Sequence, residues 1–146
     1  MVLGWVLSAQ QATVIRVIDG DTFEVRLRNN HKYNVRLLGV DSPELAKGKR
    51  VAQPFANEAK AFSEQQLLGK IVQLSNDGKK NAFSFNRRLV YINIDGNDYG
   101  EMLLTAGMAR AYRKQHKATK TPKYILLEEE AKVNKRGLWN VLKMED

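Results

Sequence analysis

Residues 13–38 read TVIRVIDGDTFEVRLRNNHKYNVRLL, and this stretch decides the fold. Apolar and β-branched residues alternate with polar ones, or run together, in three segments: Thr13–Ile18, Thr22–Leu27 and Tyr33–Leu38. Such segments are typical of half-buried strands. Asp19-Gly20-Asp21 separates the first two segments and Asn29-Asn30 separates the last two, as turn residues do. The stretch therefore predicts three antiparallel strands in succession.

Two further strands are predicted at Ile71–Leu74 and Arg88–Ile94. Between the third and fourth strands, apolar residues recur at helical spacing from Pro54 to Gly69: Phe55, Ala59, Phe62 and Leu67. Five strands with a helix after the third, and further helices near the end, are typical of an α+β, mainly β protein. We expect a closed five-stranded barrel of the OB type.

The later helices are predicted from their end signals. Asp98 and Glu101 have the spacing of a capping box, ahead of a short helix that runs to Gly107. Thr121-Pro122 opens the last helix as an N-cap followed by proline, and Gly137 is its expected C-cap. The buried side of this helix is predicted to carry Tyr124, Leu127, Ala131 and Val133, whereas Glu128-Glu129-Glu130 is predicted to form an exposed face.

Length and composition restrict the class of protein. The chain has 146 residues, of which 43% are hydrophobic and 27% charged, as expected for one globular domain. The absence of cysteine excludes a disulfide framework and a thiolate nucleophile. His31 and His116 lie in different segments, so a metal site with several histidines is not expected, and each is interpreted as a surface residue without a role. No apolar run approaches the ~18 residues of a membrane span. We expect a soluble monomer without a membrane partner.

The first nine residues, MVLGWVLSA, carry no charged side chain. Ser8-Ala9 resembles the small-residue boundary of a secretory signal, but a basic segment ahead of it is missing. An N-terminal strand is the alternative interpretation. We therefore divide the chain into an N-terminal extension or signal remnant (residues 1–10) and one domain (residues 11–142). A secreted or periplasmic location is expected, with a cytoplasmic one as the alternative.

The charge balance indicates a polyanionic partner. Twenty-four Lys and Arg against sixteen Asp and Glu give a net charge of +8. The electrostatic field of this net positive charge attracts polyanions and accelerates their encounter with the protein. Nucleic acid is the first candidate, with an anionic membrane surface as the second.

Four carboxylates occur in two short motifs. Asp19 and Asp21 flank Gly20, whereas Asp41 and Glu44 flank Ser42-Pro43. Residues i and i+2 of an extended chain share a face, and Asp41 can join them if the first and third strands are close. Carboxylates ~4 Å apart repel by about 4 kcal/mol at an effective dielectric constant near 20, so the cluster needs a cation, a shared proton or arginines. Oxygen ligands favour Ca²⁺ or Mg²⁺. Alternatively, the motifs form only a hairpin turn and the start of a loop.

Arginines are the second element of the candidate site. Arg36 lies in the apolar strand segment Val35–Leu38, and a half-buried guanidinium needs an anionic partner. Arg87 and Arg88 begin the fifth predicted strand. Guanidinium groups beside a divalent cation and a carboxylate suit phosphoryl transfer, because they stabilise the charge on the phosphate while the carboxylate orients water. An ion pair that closes the barrel is the alternative role of Arg36.

Three motifs in register resemble the staphylococcal nuclease family. They are Val17–Thr22, Arg36–Glu44, and Arg87 ahead of Leu89–Ile92. The resemblance covers roughly residues 11 to 140 and extends through Gly107-Met108-Ala109 to Gly137-Leu138-Trp139. It implies an OB barrel with three helices and a Ca²⁺-dependent nuclease that cuts DNA and RNA with little sequence preference, leaving 3′-phosphate ends.

The resemblance also implies a metal site. Asp21 and Asp41 would bind Ca²⁺ through their carboxylates, and Ser42 would bind it through its backbone carbonyl. Asp19 would reach the metal through water. Mg²⁺ is the less favoured alternative.

Catalytic and substrate-binding residues follow from the same resemblance. Glu44 would orient or deprotonate the attacking water, while Arg36 and Arg87 would hold the scissile phosphate, with Arg87 nearer the leaving oxygen. The residues expected to contact the substrate are Tyr112, Phe85, Arg88 and Lys49, the last in the segment Lys47–Arg50, which resembles a mobile loop of the family.

This chain departs from the family pattern ahead of the second arginine. It has Phe85-Asn86 where an aromatic–glycine pair is usual, so a tyrosine hydroxyl is missing, and Arg88 competes with Arg87 for the catalytic role. The segment Arg110–Lys123 holds six Lys or Arg and no acid, as a phosphate-tracking segment or a solvated loop does. The main alternative function is a non-catalytic OB module that binds single-stranded nucleic acid, but such a module has little use for clustered carboxylates.

Overall fold

Five strands close into a barrel in the computed structural model, which describes residues 10–77, 83–84, 87–113 and 118–140. The barrel strands are β1 (Gln10–Asp19), β2 (Thr22–Leu27), β3 (Lys32–Leu37), β5 (Ile71–Ser75) and β7 (Arg87–Ile94). Shorter strands are β4 (Val40–Asp41), β6 (Phe83–Ser84), β8 (Asn97–Asp98) and β9 (Arg110–Ala111). The helices are α1 (Ala56–Leu67), α2 (Tyr99–Thr105) and α3 (Thr121–Val133). Residues 1–9 of the predicted N-terminal extension lie outside the described residues.

The order of strands confirms the predicted OB-type barrel. β3, β2, β1, β5 and β7 are neighbours in antiparallel pairs, and β7 then pairs with β3 in parallel, which closes the barrel. The closing pairs join Val35 to Arg88 and Leu37 to Val90. Because closure leaves the barrel without a free edge, β3 and β7 are held at a defined register.

The core lies inside this barrel and follows the alternation of the strands. On β2, Phe23 and Val25 are fully buried, whereas Arg26 on the other face is exposed. Phe23 packs edge-on against Tyr99 of α2, with ring centroids 6.2 Å apart. The inward residues of the predicted strands are therefore the core residues, and the outward residues of β2 and β3 are available for a site.

Helix α1 connects the core to the turn between β1 and β2. It buries one face, formed by Ala56, Ala59, Ser63 and Leu67. Ser63 Oγ donates to the carbonyl of Gly20 at 2.8 Å and lies 2.7 Å from the hydroxyl of Tyr99. Since the single serine proton goes to Gly20, the Tyr99 hydroxyl donates to Ser63. Burial raises the pKa of Tyr99, so its proton is retained.

Two predictions about the buried side of helix α3 were wrong. Val133 is 79% exposed, because the helix ends there, and Glu128 is 1% exposed although it was predicted to lie on an exposed face. Glu128 is buried because its carboxylate accepts hydrogen bonds from the amide of Ala111 (2.7 Å) and from Arg113 Nη2 (2.8 Å). Lys132 Nζ lies 3.4 Å from the same carboxylate. Glu128 thus fixes β9 to α3.

The N-cap of α2 was predicted correctly, whereas the two predicted caps of α3 were wrong. Asp98 caps α2 as predicted, because its carboxylate accepts from the amide of Glu101 at 3.0 Å. Helix α3, in contrast, has Lys120 as N-cap and Asn134 as C-cap rather than Thr121 and Gly137. Gly137 has a φ of +52° and lies against the carbonyl of Gly107, so it serves a close backbone contact beyond the helix end. Among the described residues, no helix combines the length and the apolar composition needed to span a lipid bilayer.

We predict that E128Q destabilises the fold in a pH-dependent manner. Burial raises the pKa of Glu128, but the bonds from Arg113 and Ala111 and the charge of Lys132 outweigh burial and leave this pKa below its ordinary value of 4.5. The carboxylate therefore stabilises the folded state above pH 4.5, and this stabilisation is lost as the pH falls through the lowered pKa. At pH 7, E128Q should lower the free energy of unfolding by about 1.5–3 kcal/mol.

Urea unfolding at several pH values measures this difference. The control is E129Q, which removes an exposed neighbouring charge and should change stability by less than ~0.5 kcal/mol. A difference between E128Q and the wild type that stays constant down to pH 3 would contradict the ionised, hydrogen-bonded state of Glu128.

Candidate functional site

The turn between β1 and β2 brings two carboxylates to one end of the barrel. Asp19 ends β1, and its Oδ1 accepts a hydrogen bond from the amide of Asp21 at 3.1 Å. Gly20 lies so close to Ser42 that a Cβ at position 20 would be 2.8 Å from Ser42 Cβ and Oγ. Glycine is therefore needed here for space, and the two acidic motifs of the sequence pack against each other.

Asp21 is the centre of the cluster and is only 3% exposed. Its Oδ2 accepts from the amide of Ser42 at 2.9 Å and from Arg36 Nη2 at 3.3 Å. Its Oδ1 accepts from Thr22 Oγ1 at 2.9 Å. A buried carboxylate with this many donors is held in one orientation.

Arg36 joins two carboxylates, as its place in an apolar strand indicated. Its Nη2 contacts Asp21 and also Asp41 Oδ1, the latter at 3.1 Å, while its Nη1 donates to the carbonyl of Leu37 at 3.0 Å. The guanidinium carbon lies 5.3 Å from the ring centre of Tyr112. Arg36 is 7% exposed, whereas the side chain of Asp41 is 40% exposed and faces solvent.

The cluster holds more negative charge than Arg36 balances. Burial, the charge of Asp21 and that of Glu44 raise the pKa of Asp19 to about 7. Burial and the same two neighbours also raise the pKa of Asp41, although Arg36 and Arg110 oppose them. The charges of Asp21 and Glu44 therefore act on both Asp19 and Asp41, and a cation would relieve this repulsion.

Glu44 lies in the loop that follows β4. Its amide donates to Gln53 Oε1 at 2.8 Å, and the amide of Gln53 donates back to the Glu44 carbonyl at 2.8 Å. Its carboxylate is 46% exposed and lies 3.6 Å from Arg50 Nη2. Backbone and side chain are thus restrained separately, which keeps the carboxylate at the rim of the cluster.

Arg87 and Arg88 point to opposite sides of β7. Arg87 Nη1 donates to Thr22 Oγ1 at 3.3 Å, and Thr22 in turn donates to Asp21. Arg88 is exposed and stacks on the ring of Tyr33, 4.1 Å from its centre. Successive residues of a strand alternate between faces, so Arg87 reaches the cluster and Arg88 does not.

The other predicted site residues lie around the cluster rather than within it. Tyr112 contacts Arg36, and Lys49 is exposed in the loop closed by a bridge between Lys47 and Arg50. Phe85 lies outside the described residues. The structure brings together seven of the predicted site residues: Asp19, Asp21, Arg36, Asp41, Ser42, Glu44 and Arg87.

Sequence reasoning missed three residues that organise the cluster. Thr22 connects Arg87 to Asp21, Gln53 holds the backbone of Glu44, and Arg110 lies opposite Asp41 in the pairing of β4 with β9. Thr22 directly follows the Asp19-Gly20-Asp21 motif, so its position was a usable signal. The contacts of Gln53 and Arg110 depend on loop and strand geometry that no local pattern encodes.

The donor chemistry of the cluster suits a hard cation. Asp21, Asp41 and Ser42 supply only oxygen atoms, and Ser42 Oγ is buried without a hydrogen-bond partner among the described residues. However, no group of three or more acidic or histidine side chains within the described ranges could hold a metal ion by side chains alone. Any ion here would need further ligands, such as backbone carbonyls and water, as Ca²⁺ and Mg²⁺ commonly take.

Fold and site together define an OB-type barrel with an acidic, arginine-bridged cluster at one end. The model of the family described as "Staphylococcal nuclease homologue" matches residues 34–141. The chain therefore belongs to the staphylococcal nuclease homologue family.

Named relatives agree with this membership. The chain is 33% identical to the thermonuclease of Staphylococcus hyicus over 133 residues, which are 90% of this chain and 76% of that protein. It is 34% identical to endonuclease YncB of Bacillus subtilis over 88% of this chain and 61% of that protein. It is also 31% identical to the SPbeta prophage-derived endonuclease YokF of the same species, over 88% of this chain and 43% of that protein. The chain thus spans less than two thirds of the latter two relatives.

We predict that G20A destabilises the protein, because the added methyl group meets Ser42 at 2.8 Å and Ala59 Cβ at 3.0 Å. Overpacking of this kind lowers the free energy of unfolding by about 1–3 kcal/mol. Urea unfolding measures the change, and the double variant G20A/S42G, which removes the nearest contact atoms, should recover part of the loss. A G20A protein as stable as the wild type would contradict the close packing of the two acidic motifs.

Proposed function

We propose that this protein is a Ca²⁺-dependent nuclease that hydrolyses phosphodiester bonds of DNA and RNA with little sequence preference and leaves 3′-phosphate ends. Membership of the family supports nuclease chemistry in general. The observation that carries the proposal for this chain is the convergence on Asp21 of both predicted arginines, Arg36 directly and Arg87 through Thr22. Arginines held beside a carboxylate cluster are arranged for a charged phosphate at the cluster's open side.

Arg36 and Arg87 bind the scissile phosphate in this proposal. Arg36 uses Nη2 for Asp21 and Asp41 and Nη1 for the Leu37 carbonyl, so its position is fixed before substrate arrives. Because no reorganisation is then needed, its charge stabilises the additional negative charge of the transition state. Arg87 donates to Thr22 at 3.3 Å and is the one that follows the leaving oxygen.

Asp21 and Asp41 would hold the metal through their carboxylates, with the Ser42 carbonyl as a further ligand and Asp19 acting through water. Bound Ca²⁺ supplies Lewis-acid stabilisation of the phosphate charge at this position. Asp21 is preoriented for this role by Ser42 and Thr22. Mg²⁺ is the alternative ion.

Glu44 orients or deprotonates the attacking water. The water oxygen forms a bond to phosphorus, the bond from phosphorus to the 5′ oxygen breaks, and the products are a 3′-phosphate and a 5′-hydroxyl. The Glu44 carboxylate suits this role because it is half-exposed at the rim of the cluster, and its partner Arg50 lies 3.6 Å away, too far for a strong hydrogen bond.

Tyr112, Lys49, Phe85 and Arg88 complete the proposed contacts to the substrate. Of these four, Tyr112 has the best structural support for a substrate contact, since its ring lies beside Arg36. Aromatic stacking and backbone charge contacts do not read base identity, which accounts for low sequence preference. A secreted or periplasmic location also stays a prediction, because it depends on residues 1–9.

The first test is cleavage of single-stranded and duplex DNA and of RNA with Ca²⁺, Mg²⁺ or EDTA, followed by mapping of the product ends. We expect cleavage with Ca²⁺, none with EDTA, and 3′-phosphate ends. Intact nucleic acid in every reaction, together with a salt-sensitive gel shift, would instead identify a binding module.

Neighbouring arginines provide a matched pair of variants. R87Q should reduce kcat by about 10²–10³-fold, because one preorganised donor to the transition state is lost. R88Q removes the same charge from the other side of β7 and should reduce kcat by less than ~10-fold, since Arg88 contacts Tyr33 rather than the cluster. Equal losses in both variants would contradict the assignment of Arg87.

A substitution of Glu44 distinguishes an effect on catalysis from an effect on substrate binding. E44Q keeps the shape of the side chain but removes the base, so kcat should fall by about 10²–10⁴-fold while the Kd for an uncleaved oligonucleotide stays within a few fold. E64Q, on the exposed side of α1, is the control. Unchanged kcat in E44Q would remove Glu44 from the mechanism.

A further inference from the structure

The outer face of β2 and β3 carries cations that the proposed reaction does not use. The two strands pair in continuous register from Thr22–Arg36 at the site to Arg26–Lys32 at the far end. Because side chains alternate strictly along such a ribbon, Arg26 and Lys32 lie on the same face as Thr22 and Arg36. The face that holds the site therefore continues to these two cations without a break.

The register pair between them does not interrupt the positive face. It consists of Glu24 and Asn34. Glu24 is paired with Arg16, at 3.4 Å from carboxylate to Nε, so its charge is locally balanced. Arg28 follows β2 in the next turn and is exposed, as are Arg26 and Lys32. We call Arg26, Arg28 and Lys32 the basic stripe.

The arginines of the stripe differ from the others that the structure describes. Arg26 and Arg28 have no ion pair and no aromatic partner within the described residues. Every other described arginine contacts a carboxylate, a hydroxyl group or an aromatic ring: Arg16, Arg36, Arg50, Arg87, Arg88, Arg110, Arg113 and Arg136. The two guanidinium groups of the stripe are thus available to a ligand from solution.

A cleft of about 240 Å³ lies beside these two arginines. Gln11, Thr13 and Asn30 line it together with Arg26 and Arg28, and no carboxylate is part of its lining. The pairing of Thr13 with Arg26 places β1 along one side. Planar guanidinium donors with amide and hydroxyl groups around them suit phosphate oxygens.

We propose that the basic stripe is a second nucleic-acid contact, which binds phosphates of the same strand whose scissile phosphate lies at Arg36 and Arg87. This rests on the proposed function. Lys32 is four residues from Arg36 along β3, or about 13 Å at ~3.3 Å per residue. A stacked strand rises ~3.4 Å per nucleotide, so the stripe lies about four nucleotides from the site of cleavage.

The stripe therefore makes binding depend on the length of the substrate. A fragment of about three nucleotides occupies the site alone, whereas a strand of about 20 nucleotides also covers the stripe. Each phosphate contact to a single strand adds about 0.7 to the slope of log K against log salt, so three contacts add about 2.

The test compares the variant R26Q/R28Q/K32Q with the control K60Q/K135Q/R136Q, which removes the same charge from α1 and from the residues that follow α3. For a 20-nucleotide single strand, we expect KM of the stripe variant to rise at least tenfold and the salt slope to fall by about 2, with kcat unchanged. For a trinucleotide, KM should stay within about twofold. The control variant should resemble the wild type with both substrates.

Several outcomes would overturn the proposal. They are wild-type KM for the long strand, an equal loss with the trinucleotide, or an equal loss in the control variant, since the last two indicate a general charge effect. Fluorescence anisotropy of the labelled 20-nucleotide strand in EDTA measures the same contact without cleavage. If no variant or wild type cuts nucleic acid, the proposed function fails, and the anisotropy difference still decides whether the stripe binds.

Discussion

The ion pairs of Arg36 with Asp21 and Asp41 are the constraint on which the rest of the structure depends. The pair of Arg36 with Asp21 is buried, and removing one partner of a buried pair leaves an uncompensated charge, which costs about 3–5 kcal/mol. The pairs also join β3, the turn after β1 and β4 at one point. The barrel end is therefore held by charges rather than by apolar contacts alone, and the same charges form the candidate site.

A second buried carboxylate, that of Glu128 on α3, also stabilises this arrangement. Glu128 binds the amide of Ala111, and β9 in turn pairs with β4, which carries Asp41. Tyr112 follows β9 and stacks near Arg36. Helix α3 is thus connected to the cluster through one short strand pairing, that of β9 with β4. No residue of α3 is proposed to contact the substrate.

Local pattern was sufficient to predict the barrel strands, the cap at Asp98 and the anionic partners of Arg36, because each depends on alternation or on fixed spacing. It failed for Glu128, since three consecutive glutamates resemble a solvated helix face, and Glu128 is buried through distant partners, the amide of Ala111 and the side chain of Arg113. It left Arg87 and Arg88 unresolved, and the register of β7 separates them. The pairing of Glu44 with Arg50 depends on the path of a loop, which spacing does not encode.

The parallel pairing of β3 with β7 has a consequence for synthesis of the chain. Arg36 and Arg87 are more than fifty positions apart, and the pairing that brings them together is also the one that closes the barrel. Contacts of such long sequence separation slow folding, because the cost of closing a large loop must be met before they are gained. A nascent or unfolded chain would consequently lack a working centre, and the cell that makes the protein would be exposed to its chemistry only after folding is complete.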